Sequence, residues 1–420
     1  MLFLNGDLRN LNVPLIEELA VRYGTPYYAY DMTMIQSQLA TLRAAFAAVS
    51  LPFQIHYSVK ANSNLALLDR LRSQGCAFDV VSGGELRRCL HVGAKGSEIV
   101  FAGVGKTTEE IETALAAEIR QFNVESTSEL ELIKATARRL GRRARVALRI
   151  NPDIDALTHE YITTGTHNSK FGISIDEATL IYLQERNAPE IEWVGLDMHI
   201  GSQLTDEGPI LQSLKRFAAF VKSLSEQGMH LQNLDIGGGL GIAYRGEKVI
   251  PARRFAELVA EGLASIELSR HTLIVEPGRF LVGEAGLLVT RVQHLKFQHQ
   301  KRFAIADAGM TELMRPALYG AFHEISLVSK RSPSPNASVD IVGPICESSD
   351  SFAKDRLIPM PEQGDLLALR NCGAYAASMA HTYNTRGRAP EILIEASGAK
   401  LVRRRENFLD LIRLETDVSS

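Results

Sequence analysis

Gln54–Asn62 reads QIHYSVKAN, and the fold follows from how it is read. The segment is expected to be a β-strand with a lysine at its exit. On such a strand Tyr57, Val59 and Ala61 share one face, and His56, Ser58 and Lys60 share the other. Asn62 to Asn64 then offer N-cap chemistry. A helix should follow, with Leu65, Leu68 and Leu71 on one stripe and Gly75 as its stop. Lys60 therefore falls where a strand hands over to a helix, the position at which α/β barrels place their chemistry. Taken alone, it reads equally as a solvated surface lysine, as most lysines are.

Outward from Gln54 the pattern repeats. Strand-like pieces recur at Gln54–Ser58, Phe78–Val81, Ile99–Phe101, Phe122–Val124, Val146–Ile150, Val194–His199, Leu234–Ile236 and Leu273–Val275. Helical stretches lie between them. Thr107 with Glu110, and Ser126 with Glu129, fit capping boxes, and Gly93, Gly141 and Gly228 fit helix stops. Strands alternating with helices in this number favour a (β/α)8 TIM barrel, with an open doubly wound sheet as the alternative. Upstream, Pro14–Tyr23 reads as a helix, Thr25–Tyr30 as strand-like and Met32–Val49 as an amphipathic helix. Past residue 283 short alternating runs are separated by Pro and Gly, the pattern of a mostly antiparallel β domain, with Lys330–Ser338 as a loop. The expected organisation is α/β. Residues 1–25 join the β domain, 26–282 form the barrel and 283–420 form the C-terminal β domain.

The chain has 420 residues, of which 45% are hydrophobic and 23% charged, an ordinary globular composition. Lys and Arg total 46 and Asp and Glu 49, a net charge of −3. Neither a basic face for nucleic acid nor a polybasic membrane tail is implied. The opening MLFLNGDLRN has only a short apolar run before Asn5, too short for a signal peptide, and no stretch approaches the ~18 apolar residues of a membrane span. Cys76, Cys89, Cys346 and Cys372 form no CxxC pair, so neither a metal site nor a disulfide scaffold is suggested. A cytoplasmic setting is expected.

Six further stretches carry chemical groups. Asp197–Gln203 (DMHIGSQ) closes a barrel strand with His199, followed by Gly201 and Ser202. Asp235–Gly241 (DIGGGLG) places Gly237, Gly238 and Gly239 after a strand, where backbone N–H groups can approach an anion; a tight turn without a ligand would use the same glycines. Glu276–Arg279 (EPGR) ends the last barrel strand with an acid that needs a partner if buried, a turn at Gly278, and the planar fork of Arg279. Asp307–Tyr319 (DAGMTELMRPALY) offers Arg315 and Tyr319 to an anionic ligand, or is a surface loop with a packed tyrosine. Gly343–Asp350 (GPICESSD) sets Cys346 beside Glu347, although a lone cysteine is usually inert packing. Asn371–Tyr375 (NCGAY) presents Tyr375. Barrel strand ends converge on one face. A lysine, a histidine, a glycine cradle and an acid at four of them are the parts of a pyridoxal-phosphate site.

YSVKAN, HIGSQ, GGGLG, EPGR, RPALY, GPICES and GAY, in this order and spacing, resemble the diaminopimelate decarboxylases, pyridoxal 5'-phosphate enzymes of the alanine-racemase-like barrel class. The resemblance extends from about Thr25 to about Leu411. It implies that Lys60 holds the cofactor covalently and that His199 stacks on its ring. Ser202, Gly237, Gly238, Gly239 and the turn at Gly278 and Arg279 would hold the phosphate, with Tyr375 adding a donor. Glu276 would pair with the ring nitrogen, where racemases of this fold carry an arginine. Arg279, Arg315 and Tyr319, with Tyr375 nearby, would bind the distal carboxylate of the substrate and Glu347 its distal ammonium. Cys346 would protonate the α-carbon. The Cys346–Glu347 loop would come from the other subunit, implying a homodimer with shared active sites. The implied reaction is conversion of meso-2,6-diaminopimelate to L-lysine and CO2, the last step of lysine biosynthesis; the alternative is a sister decarboxylase acting on another diamino or carboxylated substrate. Two stretches depart from the family pattern, Met379–Asn384 (MAHTYN) and the DAGMTE loop at Gly309 and Thr311. Neither is expected to touch a residue with a role.

Overall fold

The alternation that begins at Gln54 closes on itself. The computed structural model describes residues 1–3, 10–154, 170–328 and 334–416. After a first strand at Tyr27–Asp31 (β1) come Phe53–Ser58 (β2), Ala77–Val80 (β3), Ile99–Phe101 (β4), Gln121–Val124 (β5), Ala144–Ile150 (β6), Ile191–Met198 (β7), Asn233–Asp235 (β8) and Thr272–Val275 (β9). Strands β2 to β9 each pair in parallel with the next. β9 returns to β2 in the register Phe53↔Leu273 to Ile55↔Val275. That last pairing excludes the open sheet and makes the unit a (β/α)8 barrel. The barrel unit comprises Leu39–Ile242 and Lys248–Phe280.

Local chemistry sets the hand-over at Lys60. β2 stops at Ser58, and Val59–Ala61 makes one 3-10 turn. Asn62 Oδ1 then accepts from the Asn64 N–H at 3.1 Å, and Asn64 Oδ1 caps the next helix through the Ala66 N–H at 3.0 Å. In that helix, Leu65–Ser73, the buried residues are Leu67, Leu68 and Leu71. Leu65 is 37% exposed, because at 3.6 residues per turn it falls outside the arc that Leu67, Leu68 and Leu71 share. The box at Thr107 and Glu110 forms in both directions. At Ser126 only half of it forms. The hydroxyl caps Glu129 N at 3.2 Å, but the Glu129 carboxylate turns away to the buried Lys106 ammonium at 2.7 Å and to Glu125 N at 2.9 Å.

The barrel interior is polar near the site. Asn233 Nδ2 donates to Gln121 Oε1 and Gln121 Nε2 to Asn123 Oδ1, both at 2.7 Å, and Asn123 Nδ2 lies 3.5 Å from Asp235 Oδ2. A chain of amides thus leads up to a buried acid, each satisfying the next.

The second unit comprises Met1–Gln38, Ala243–Glu247 and Leu281–Ser420. Its sheet is mixed and mostly antiparallel. β1 pairs antiparallel with Gly286–Gln298 and parallel with Glu391–Glu395, so all five of its residues are buried. The strand-like Thr25–Tyr30 segment therefore contributes to this sheet, because Tyr27 and Ala29 join Leu287, Val289, Ile392 and Ile394 in one apolar cluster with Ile16 and Leu19 of the helix Val13–Tyr23. Of the loop expected over Lys330–Ser338, residues 330–333 lie outside the described residues; from Asn336 the chain is already a strand, Asn336–Val342, paired with Ser351–Pro359. Among the described residues no helix is long and apolar enough to cross a membrane.

Replacing Asn64 with Ala removes the cap of the helix behind Lys60. We expect a loss of about 1 kcal/mol, measured as a lower denaturant midpoint of barrel unfolding.

Candidate active site

The ends of barrel strands β2, β3, β7, β8 and β9 carry the titratable groups. Lys60 Nζ lies 3.0 Å from Asp79 Oδ2, and the Asp79 side chain is fully buried. Ser58 Oγ sits 3.0 Å from the same carboxylate oxygen and 3.0 Å from the Glu276 carbonyl. The lysine is partly exposed, but a buried carboxylate fixes where its ammonium stands.

Behind it lies an acidic cluster. Asp197, Asp235 and Glu276 are buried and bring carboxylate oxygens within 4.8 Å of one another. Asp235 Oδ1 accepts the Gly237 N–H at 3.0 Å. Glu276 Oε1, Asp197 Oδ1 and Asp79 Oδ1 have no hydrogen-bond partner among the described residues. Lys60 and Arg149 are cations that face these acids, Arg149 with Nε 3.9 Å from Asp197 Oδ2 and Nη1 3.0 Å from Glu125 Oε1. Burial, and then the neighbouring acids, push the Glu276 and Asp197 carboxyls well above the usual carboxylate range. Burial pushes Asp235 up to about 7, against the Gly237 N–H. The cluster calls for a further positive group. A protonated ring nitrogen would meet that need, and by geometry alone so would a divalent metal ion.

His199 lies just past the end of β7. Its Nδ1 accepts the Gly238 N–H at 3.2 Å, which places the ring proton on Nε2. Burial, with Arg149 and Lys60 nearby, lowers its pKa well below the ordinary histidine value. The ring is thus a neutral, oriented plate. The glycines beside it are required by close approach. A Cβ at Gly238 would lie 2.2 Å from the Glu276 carbonyl oxygen, and one at Gly239 2.6 Å from that of Gly201, with φ +104° at Gly239. The two loops are laced together by the Leu204 N–H to Gly239 O at 2.9 Å and by both ends of the Gln203 amide on Ile242. Arg279 Nη2 donates to Ser202 Oγ at 3.1 Å, and a Cβ at Gly278 would touch those of Ser58 and Ala61 at 3.0 and 3.1 Å. The barrel therefore brings together Lys60, His199, Ser202, Gly237, Gly238, Gly239, Glu276, Gly278 and Arg279.

Arg315, Tyr319, Cys346, Glu347 and Tyr375 belong to the β unit. Arg315 and Tyr319 bound a single helical segment. Cys346 and Glu347 are exposed at a loop tip held from beneath. Asp350 accepts the N–H groups of Ile345 at 2.7 Å and Met310 at 2.6 Å, and Asn384 Oδ1 accepts the Cys346 N–H at 2.9 Å. This corrects the expectation for one of the two departing stretches, Met379–Asn384, since Asn384 binds the cysteine's own backbone. In the other, a Cβ at Gly309 would press on Ile345 and Asp350 at 2.8 and 3.0 Å, residues that carry no assigned role. Tyr375 has a left-handed backbone, φ 55°.

Asp79, Arg149, Asp197 and Asp235 were not singled out by sequence. For the three aspartates the signal was an acid between apolar residues at a strand end, in FDV, LDM and LDI, where burial makes an unpaired charge costly.

The family described as pyridoxal-dependent decarboxylase, pyridoxal binding domain, matches residues 32–283. This chain belongs to that family. Among these decarboxylases, the diaminopimelate decarboxylase of Neisseria meningitidis serogroup A is 45% identical over 390 residues, 93% of this chain and 94% of the relative. That of Pseudomonas aeruginosa is 45% identical over 396 residues, 94% of each. A crystal structure of diaminopimelate decarboxylase from Helicobacter pylori complexed with L-lysine superposes with a TM-score of 0.91 at 41% identity, covering 96% of this chain and 99% of that one. The cofactor of a pyridoxal-dependent decarboxylase is pyridoxal phosphate, and the barrel fits it. Lys60 offers the amine, the unsatisfied Glu276 Oε1 suits a protonated ring nitrogen, and neutral His199 suits a ring face.

The raised Asp235 value gives a pH test. Between about pH 4 and about pH 7 the folded, cofactor-free protein keeps a proton that the unfolded chain has released, so stability falls as pH rises through that window. Asp235→Asn removes the effect. Its stability relative to the parent should grow from about pH 4 to about pH 7 and level off above that, by at most about 1.4 kcal/mol per pH unit, read from paired thermal unfolding series. Separately, Asn384→Ala should speed alkylation of Cys346 and lower turnover while leaving cofactor absorbance unchanged, measured by mass spectrometry and spectrophotometry.

Proposed function

We propose that this chain removes CO2 from meso-2,6-diaminopimelate and returns L-lysine, the last step of lysine biosynthesis. The observation that carries this reading is the buried Glu276 carboxylate with an oxygen left unsatisfied at the barrel-strand end, in a chain 45% identical to diaminopimelate decarboxylases over nearly its whole length.

Lys60 anchors the cofactor, and Asp79 holds the lysine amine in place until it does so. Ser202, the Gly237–Gly239 backbone and the Gly278–Arg279 turn bind the phosphate, with Tyr375 as an added donor. His199 supports the ring without adding charge to it. When bound, the cofactor supplies an electron sink for the pair left behind by the departing carboxylate. Glu276 favours that sink, because a carboxylate beside the ring nitrogen keeps a proton there. Asp197 and Asp235 back Glu276 and raise the local demand for positive charge.

For the substrate, Arg279, Arg315 and Tyr319 take the distal carboxylate, and Glu347 the distal ammonium. Cys346 delivers the proton to the α-carbon, a step that needs a thiol rather than a thiolate at that moment. The exposed Cys346–Glu347 tip supports a homodimer in which each subunit lends this loop to the other's active site. A cytoplasmic setting suits the free thiol.

Purified protein supplied with pyridoxal phosphate and meso-2,6-diaminopimelate should release lysine and CO2 in equal amounts, and borohydride should fix the cofactor on Lys60. Arg315→Ala should lower kcat/KM for this substrate by about a hundredfold, the scale of a lost charged contact, while leaving any turnover of diamino acids that lack a distal carboxylate unchanged. Equal losses on both would favour a sister decarboxylase with another substrate.

A further inference from the structure

Eight residues beyond Arg315, His323 is completely buried in the β unit, and both of its ring nitrogens are engaged. Nδ1 lies 2.7 Å from the Arg370 carbonyl oxygen, and Nε2 lies 2.8 Å from Arg315 Nη1. The carbonyl can only accept, and guanidinium can only donate. Nδ1 therefore carries the proton, and Nε2 presents its lone pair to Arg315. One neutral tautomer satisfies both partners, whereas an imidazolium would turn an N–H against a guanidinium.

The ring itself is fixed. Arg356 Nη1 holds the His323 carbonyl at 2.9 Å. The preceding Phe322 ring has the Arg356 and Arg245 guanidinium carbons 4.0 and 4.5 Å from its centroid. Cys372 Sγ lies 3.6 Å from Nδ1. Tyr244 completes the arrangement. Its ring centroid is 4.6 Å from the Arg315 guanidinium carbon and 5.4 Å from the His323 ring, the two rings meeting edge to face at 76°. Arg315 thus rests on one ring and hydrogen-bonds another. Neither carries charge, so these contacts orient the guanidinium without neutralising it. A carboxylate in the place of His323 would orient it equally well, but would compete with an anionic ligand for it.

We propose that His323 is the positioning residue for Arg315, a neutral acceptor that aims the guanidinium at the distal carboxylate and so sets the preference for substrates that carry one. This rests on the role given to Arg315 above. The imidazole does not touch the ligand; it acts through the arginine.

The test separates the two ring nitrogens. Asn at position 323 can serve the Arg370 carbonyl in place of Nδ1 but leaves nothing for Arg315. Gln reaches further and can return an acceptor to Arg315. Holoenzyme of the parent, His323→Asn, His323→Gln and Arg315→Ala would be titrated calorimetrically with L-lysine, which has the distal carboxylate, and with 1,5-diaminopentane, which lacks it. KM and kcat for meso-2,6-diaminopimelate would be measured on the same preparations. We expect His323→Asn to weaken lysine binding and raise KM by about tenfold, with diaminopentane binding and kcat changed less than about threefold, and His323→Gln to recover most of the loss. Equal weakening toward both ligands, no weakening, or recovery by Asn rather than Gln would overturn the proposal and leave His323 as an anchor for the Arg370 backbone. If Asn fails to fold, a Gln variant that binds both ligands as the parent does still supports the acceptor role, and one that loses only lysine refutes it. Should Arg315→Ala bind lysine as the parent does, the role of Arg315 fails first, and that outcome is distinct from a failure confined to His323.

Discussion

Too much negative charge in too little water is the constraint on which the barrel site depends. Asp79, Asp197, Asp235 and Glu276 are all buried at strand ends, with Lys60 and Arg149 among the cations set against them. Taking carboxylates out of water is expensive unless they are paired or protonated. Here the deficit of positive charge lies where Asp197, Asp235 and Glu276 come together. The protein thus carries an electrostatic cost at these strand ends that a further positive group would relieve.

The backbone keeps the deficit in place. Closure of β2 on β9 puts the Lys60 turn beside the Glu276 turn, and Ser58 ties one to the other through the Glu276 carbonyl. The triple-glycine loop approaches that same carbonyl so closely that no side chain fits at Gly238. One loop therefore fixes His199 through its Nδ1 and presses on Glu276 from the other side. The geometry of the acid, the plate and the lysine is a single packed unit rather than three separate placements.

The barrel was legible because its strands repeat, with glycines and caps between them, and because Lys60, His199, the glycines and Glu276 all fall at the ends of such pieces. What the sequence hid is what needs three dimensions. Asp79, Asp197 and Asp235 are ordinary aspartates until barrel closure buries them together. Asn384 lies far along the chain from Cys346, and only the folded loop shows that its amide holds the cysteine's N–H. His323 carries no local motif; its meaning comes from Arg315 and Arg370 arriving on either side of one ring. The leucine stripe after Lys60 holds at Leu68 and Leu71 but takes Leu67 in place of Leu65, since a short run of leucines fits more than one helical arc.

The pentapeptide Ala243–Glu247, which follows the triple-glycine loop, belongs to the β unit although barrel residues flank it on both sides. Tyr244, the ring beneath Arg315, lies in it. Neither unit can be excised or shuffled between relatives as one uninterrupted piece of gene. A chimera joined at residue 281 would take Arg315 from one parent and the aromatic seat of that arginine, Tyr244, from the other, so this contact is inherited jointly from both parents.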